Sequence, residues 1–155
     1  MTLKRKLEGE VEIRASATDV VQDMFKSKPH HISHVASHIL QGVDLHEGDH
    51  GNIGSKLVWR YTVDGKSFVA KSVLEEIDEE RKIFKYRIIE GDLMNDYKSF
   101  TATCEVVPKD SETCIAKWTF EYEKLNAGIP EPSALLDTAL EVLKHIDDNH
   151  HGINK

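Results

Sequence analysis

The sequence has no apolar run long enough to cross a membrane as a helix, which takes about 20 predominantly apolar residues. Its first residues, Met1-Thr2-Leu3-Lys4-Arg5-Lys6, carry positive charge without the apolar stretch that follows it in a secretory leader. The expected compartment is therefore the cytosol, with no integral membrane partner. Cysteine is scarce: Cys104 and Cys114 are the whole complement, too few for a disulfide framework, and both read as reduced. A hairpin turning near Pro108–Glu112 would place Val107 opposite Thr113 and Cys104 opposite Ala116, leaving the two sulfurs unopposed. Positive charge is in deficit, 20 Lys and Arg against 27 Asp and Glu, for a net charge of −7. Nucleic-acid backbones demand a basic surface, so no nucleic-acid partner is expected. The dense Lys4-Arg5-Lys6 reads as a solvated strand edge. Repeats, low-complexity stretches and linkers are also missing, and 155 residues suit a single domain, residues 1–155, that can bury its own core.

What remains is mostly strand. Residues 3–13 alternate, with Leu3, Leu7, Val11 and Ile13 on one face and Lys4, Lys6, Glu8, Glu10 and Glu12 on the other, the period of a half-buried strand. Ser16-Ala17-Thr18-Asp19 starts a helix, with Ser16 as cap. Val20, Val21, Met24 and Phe25 follow at helical spacing until Pro29, and a second short helix is predicted from His30 to Ser37. Strands are then predicted at Ile39–His46, Lys56–Val63, Ser67–Ile77, Lys82–Glu90, Tyr97–Val107 and Thr113–Glu123, with Asp64-Gly65 as a two-residue hairpin turn. A last helix runs from Pro132 or Ser133 to about His151, with Leu135, Leu136, Ala139, Leu140, Leu143 and Ile146 as its apolar stripe.

Segregated helices and hairpin-linked strands define an α+β fold with an antiparallel sheet. Seven strands span roughly 30 Å, whereas one helix with its side chains is about 10–12 Å across. The sheet must curl around the helix, and such a curl leaves room for an apolar cavity. Strand parity and the helix stripe nominate its lining: Leu57, Trp59 and Tyr61; Val69 and Lys71; Phe84, Tyr86 and Ile88; Phe100, Ala102 and Cys104; Trp118 and Phe120; then Leu135, Leu136 and Ala139 as a lid. A filled core is the alternative reading of the same side chains.

Several segments resemble one plant family. They are Lys28-Pro29-His30-His31, Gly42-Val43-Asp44-Leu45-His46-Glu47-Gly48-Asp49, Gly51-Asn52-Ile53-Gly54-Ser55, Val58-Trp59-Arg60-Tyr61 with Asp64-Gly65, Ile89-Glu90-Gly91-Asp92-Leu93-Met94, Tyr97-Lys98-Ser99-Phe100 and Trp118-Thr119-Phe120-Glu121-Tyr122-Glu123-Lys124. Together, in this order and over nearly the whole chain, they resemble the major latex protein-like branch of the birch-pollen-allergen superfamily (pathogenesis-related class ten). The resemblance implies a helix-grip, START-like fold: a seven-stranded curved antiparallel sheet around a long C-terminal helix, with two short helices after the first strand. It further implies binding or carriage of a lipid, steroid, flavonoid or hormone-like molecule in an internal cavity, in plant defence and stress responses. No cofactor is implied. A monomer is the expected oligomeric state.

Other motifs weigh less. Gly48 to Gly54 lacks the Lys-Ser/Thr and following helix of a phosphate loop, since Gly54-Ser55-Lys56 leads into a strand; a rigid loop with an anion contact from Lys56 at most is expected. His30, His34 and His38 would stack on one helix face at metal-ligand spacing, but no acidic or thiol partner completes them, so no metal is assigned. His145, His150 and His151 read as helix-end dipole partners. Some members of the superfamily are condensing enzymes that use a Lys, an acid and a Tyr. A cavity enzyme of secondary metabolism is the alternative function, with Lys71, Tyr61, Tyr86, Tyr122, Asp96 and His46 as candidates and Lys71 singled out by its parity with Val69 and Val73. Spacing does not assemble a catalytic set, so the chain is read as non-enzymatic. Acidic charge argues against ribonuclease activity, and Asp64-Gly65-Lys66-Ser67 does not match the gate loop of the hormone-receptor relatives.

Overall fold

The computed structural model describes residues 3–21, 38–48 and 52–153, with side chains as far as 145. Seven strands, β1 (Lys4–Ile13), β2 (Leu40–Glu47), β3 (Lys56–Val63), β4 (Lys66–Asp78), β5 (Ile83–Gly91), β6 (Tyr97–Pro108) and β7 (Cys114–Lys124), form one sheet in the order β1-β7-β6-β5-β4-β3-β2. Every pairing is antiparallel. Helix α1 (Ala17–Val21) follows β1, and α2 (Ser133–Ile153) closes the chain order. Ser16 caps α1 as its sequence suggests, its Oγ accepting the Asp19 N–H at 3.1 Å. The helix expected over 30–37 lies outside the described residues, as do His30 and His34.

The sheet is bent where its ladders slip. Register shifts interrupt β2–β3, β4–β5 and β6–β7, and bulges of this kind bend a strand and tighten its twist. The curl lets α2 lie inside the sheet. Gly9 of β1 sets their spacing: a Cβ there would stand 2.7 Å from Leu140 Cδ1 and 3.5 Å from Leu136 Cδ2, so the missing side chain lets the helix come close.

Two sequence expectations need correction. The β3–β4 hairpin turns on Asp64 (φ 51°) and Gly65 (φ 77°), both left-handed as a two-residue turn requires. That turn pairs Val63 with Lys66, and hence Tyr61 with Phe68, Trp59 with Ala70 and Leu57 with Ser72. Residues opposite one another share a face, so Ala70, Ser72 and Leu74 point inward. Val69 (44% exposed) and Lys71 point out, against their nomination. The second correction is the β6–β7 register. Cys104 pairs with Trp118 and Val107 with Ile115, two residues from the expected match. Asp110 explains the slip: its carboxylate accepts the N–H groups of Glu112 and Thr113, each at 2.8 Å, and so shapes the turn. A slip of two leaves every side chain on its expected face. Both cysteines are buried, and neither forms a disulfide.

Candidate functional site

The inner face of the sheet is solid at one end. Ile13, Phe84, Cys104, Val106, Cys114 and Ala116 are fully buried there, and α1 packs on β6. Burial first, then the neighbouring Cys114 and Glu105, push the Cys104 thiol pKa up, so it stays an inert thiol. At another edge of the inner face, Tyr97 meets Phe100 and Tyr122 edge to face and Phe100 stacks on Tyr122, with centroids 5.4–5.8 Å apart. The Tyr97 hydroxyl donates to the Pro130 carbonyl at 3.0 Å, the Tyr122 hydroxyl donates to Glu131, and Lys124 Nζ stands 2.5 Å from Glu131 Oε1. These contacts tie the segment before α2 to the sheet.

Elsewhere the inner face and α2 leave an apolar cavity of about 140 Å³. Of the nominated residues, Trp59, Tyr61, Tyr86, Ile88, Phe100, Ala102, Trp118, Phe120, Leu135 and Ala139 line it. Leu57, Phe84, Cys104 and Leu136 face inward but belong to the packed core; Val69 and Lys71 are on the other side of the sheet. Sequence reading missed Ile39, Leu40, Ala70, Ser72, Leu93, Thr138 and Val142. The hairpin turn carried the signal for Ala70 and Ser72. Helical spacing carried it for Thr138 and Val142, three and seven residues beyond Leu135. The apolar side of α2 is in fact double: Leu136 and Leu140 approach Gly9, while Leu135, Thr138, Ala139 and Val142 face the cavity.

Among the described residues the lining holds no carboxylate, Lys, Arg, His or Cys. Its polar groups are largely spoken for. Trp59 Nε1 donates to Ser72 Oγ at 2.8 Å, and Thr138 Oγ1 donates to the Ala134 carbonyl at 2.8 Å. Burial, helped by the nearby Asp92 carboxylate, raises the Tyr61 pKa to about 12, and burial raises that of Tyr86 further. Both are neutral phenols at physiological pH, able to orient a ligand by a hydrogen bond and unable to act there as phenolate bases. Lys71, Asp96, His46 and Tyr122 do not line the cavity. In the glycine-rich loop, of which Asp49, His50 and Gly51 lie outside the described residues, the Gly54 N–H donates to the Leu74 carbonyl. Lys56 pairs with Glu47 at 3.1 Å, and that contact holds the Glu47 carboxyl below the usual range.

A curved seven-stranded sheet, gripping one long helix and enclosing an apolar space, defines a helix-grip cavity protein. The chain belongs to the pathogenesis-related protein Bet v 1 family, whose profile matches residues 2–150. Within it the similarity is to major latex protein-like members. MLP-like protein 43 of Arabidopsis thaliana is 44% identical over 96% of this chain and 94% of its own length. The chain spans about half the length of two other relatives, MLP-like proteins 34 and 28 of the same plant, which are 46% and 44% identical. The solved structure of major latex-like protein 151 from Panax ginseng, 35% identical, superposes with a TM-score of 0.89 over 96% of this chain and 98% of that one. The expected family and the helix-grip fold are thereby borne out. Norcoclaurine synthase from Thalictrum flavum shares the fold at 22% identity, with a TM-score of 0.66 over 92% of this chain and 87% of its own. No described helix is long and apolar enough to cross a membrane.

Proposed function

We propose that this protein binds and carries a compact hydrophobic or amphipathic small molecule in the cavity between its sheet and α2. The observation that carries this reading is the lining: an aromatic and aliphatic wall with neutral hydroxyls and, among its described residues, no group ionised near neutrality. An apolar space of about 140 Å³ suits the volume of one aromatic ring. Burying a ring-sized apolar surface of roughly 150–250 Å² at ~25 cal/mol/Å² contributes about 4–6 kcal/mol. Before the cost of association, that corresponds to dissociation constants from about 1 mM to tens of micromolar. Tighter binding requires a polar anchor, and the Tyr61 hydroxyl is the candidate. The same lining weighs against a cavity enzyme, which needs an acid, base or nucleophile poised near the working pH. A cytosolic setting and a part in defence or stress responses belong to this proposal on the family resemblance alone.

The test is fluorescence titration with an environment-sensitive dye such as ANS, followed by displacement with fatty acids, steroids, flavonoids and single-ring phenols. Saturable uptake with selective displacement supports the carrier reading. A folded circular-dichroism signature with no uptake, and no shift in melting temperature across the panel, overturns it.

A further inference from the structure

Outside the cavity, the turn that leads into β2 brings a histidine against α2. His38 precedes Ile39 and Leu40, both buried, so its backbone is anchored at the sheet. On α2, Glu141 and His145 are four residues apart and share a face, one helical turn apart. One ligand atom from each of His38, Glu141 and His145 lies within 4.8 Å of the other two. The imidazoles meet edge to face, with centroids 4.8 Å apart and planes at 81°. His145 Nε2 and Glu141 Oε1 stand 4.0 Å apart, beyond hydrogen-bonding distance, so these donor atoms converge without satisfying each other.

We propose that His38, Glu141 and His145 form a binding site for a divalent transition-metal ion, Zn²⁺ or a similar cation. Two imidazoles and a carboxylate match the preferences of such ions, and a three-residue set leaves a coordination position for water. Metal–ligand bonds of about 2.0–2.2 Å in tetrahedral geometry put ligand atoms roughly 3.3–3.6 Å apart. The observed spacing therefore closes by about an ångström, within reach of small χ rotations by His38 and Glu141, which are both exposed. Neither the helix pair nor the lone histidine would suffice. The fold joins them; His30 and His34, the residues with which spacing groups His38, lie outside the described residues. A bound ion would clamp two walls of the cavity together, since Ile39 and Leu40 on one side and Thr138, Ala139 and Val142 on the other all line it.

Calorimetric titration of Zn²⁺ into the full chain tests this, alongside His38→Ala, His145→Ala and Glu141→Gln. The wild type is expected to take up one equivalent, and each substitution to weaken it about tenfold or more. Zn²⁺ should raise the melting temperature of the wild type and not of the variants. Co²⁺ should report the same site through its visible absorption bands. The side chains are at the surface, so circular dichroism and the metal-free melting temperature should be unchanged. Should His38→Ala fail to fold, His38→Gln replaces it. An unchanged isotherm in the His38→Ala/His145→Ala double variant would mean that the ion sits on other histidines and would overturn the site. So would an absence of Zn²⁺ binding by the wild type.

Discussion

Ser72 makes its contribution through one atom. It is fully buried, and its Oγ accepts the indole N–H of Trp59 in the cavity wall. Ser72→Ala leaves that N–H facing an apolar space, at a cost of about 1–3 kcal/mol in urea or thermal unfolding. Adding Trp59→Phe should recover part of the loss, because a missing pair is cheaper than a broken one. Glu131 is the corresponding case for charge. Lys124 first, and Tyr122 second, hold its carboxyl below the usual glutamate range by hydrogen bonding. A carboxyl depressed in the folded state stabilises fully above its unfolded pKa and loses that contribution as pH falls through the folded one. The melting temperature should therefore fall on acidification below about pH 4.5. Glu131→Gln should be less stable at neutral pH and should lose less on acidification, a difference that melting curves at stepped pH would measure.

At the scale of the element, β1 and α2 determine how closely the sheet grips. In β1, Leu7, Val11 and Ile13 share a face with Gly9, which stands opposite Trp118 on β7. A single added methyl at Gly9 would touch Leu136 at ordinary contact distance and crowd only the end of the Leu140 side chain, which can turn aside. Gly9→Val brings two more carbons into the same gap and should cost about 1–3 kcal/mol in denaturant unfolding, as overpacking does. The alternation of β1 was plain in the sequence, but the role of Gly9 was not, because it is defined by a helix more than a hundred residues away. β4 was misread for a different reason. Val69, Lys71 and Val73 alternate plausibly with Phe68, Ala70, Ser72 and Leu74, so hydrophobicity could not choose the inward face. The Asp64-Gly65 turn could, since a two-residue hairpin fixes which residues oppose. The pattern also breaks after Leu74: the ladder pairs Leu74 with Tyr86 and then Glu76 with Lys85, so Glu75 is the extra residue and inward parity passes to Ile77, opposite Phe84.

For the whole molecule, the question is what the enclosed space does. Element order, strand count and the curl around α2 followed from period and turn chemistry, because each strand had one apolar face and only one long helix could cover them. The position of the cavity did not follow. Phe84, Cys104 and Leu57 point inward like Trp59 and Phe120, yet they fill the core, and parity alone cannot tell a packed end of a curled sheet from an open one. Ala139 offers a direct way to separate fold from function. It sits on the cavity side of α2 with Leu135, Thr138 and Val142, so Ala139→Phe projects a ring into a space of about one ring's volume. Filling an apolar void restores dispersion contacts that its lining lacks, so the melting temperature should hold or rise. Dye uptake and ligand displacement should be lost. Ala134→Phe, on the exposed side of the same helix, is the control and should leave binding unchanged. If Ala139→Phe folds and still takes up dye with wild-type affinity, the ligand is not held in this cavity. The carrier reading would then have to move to another surface of the protein.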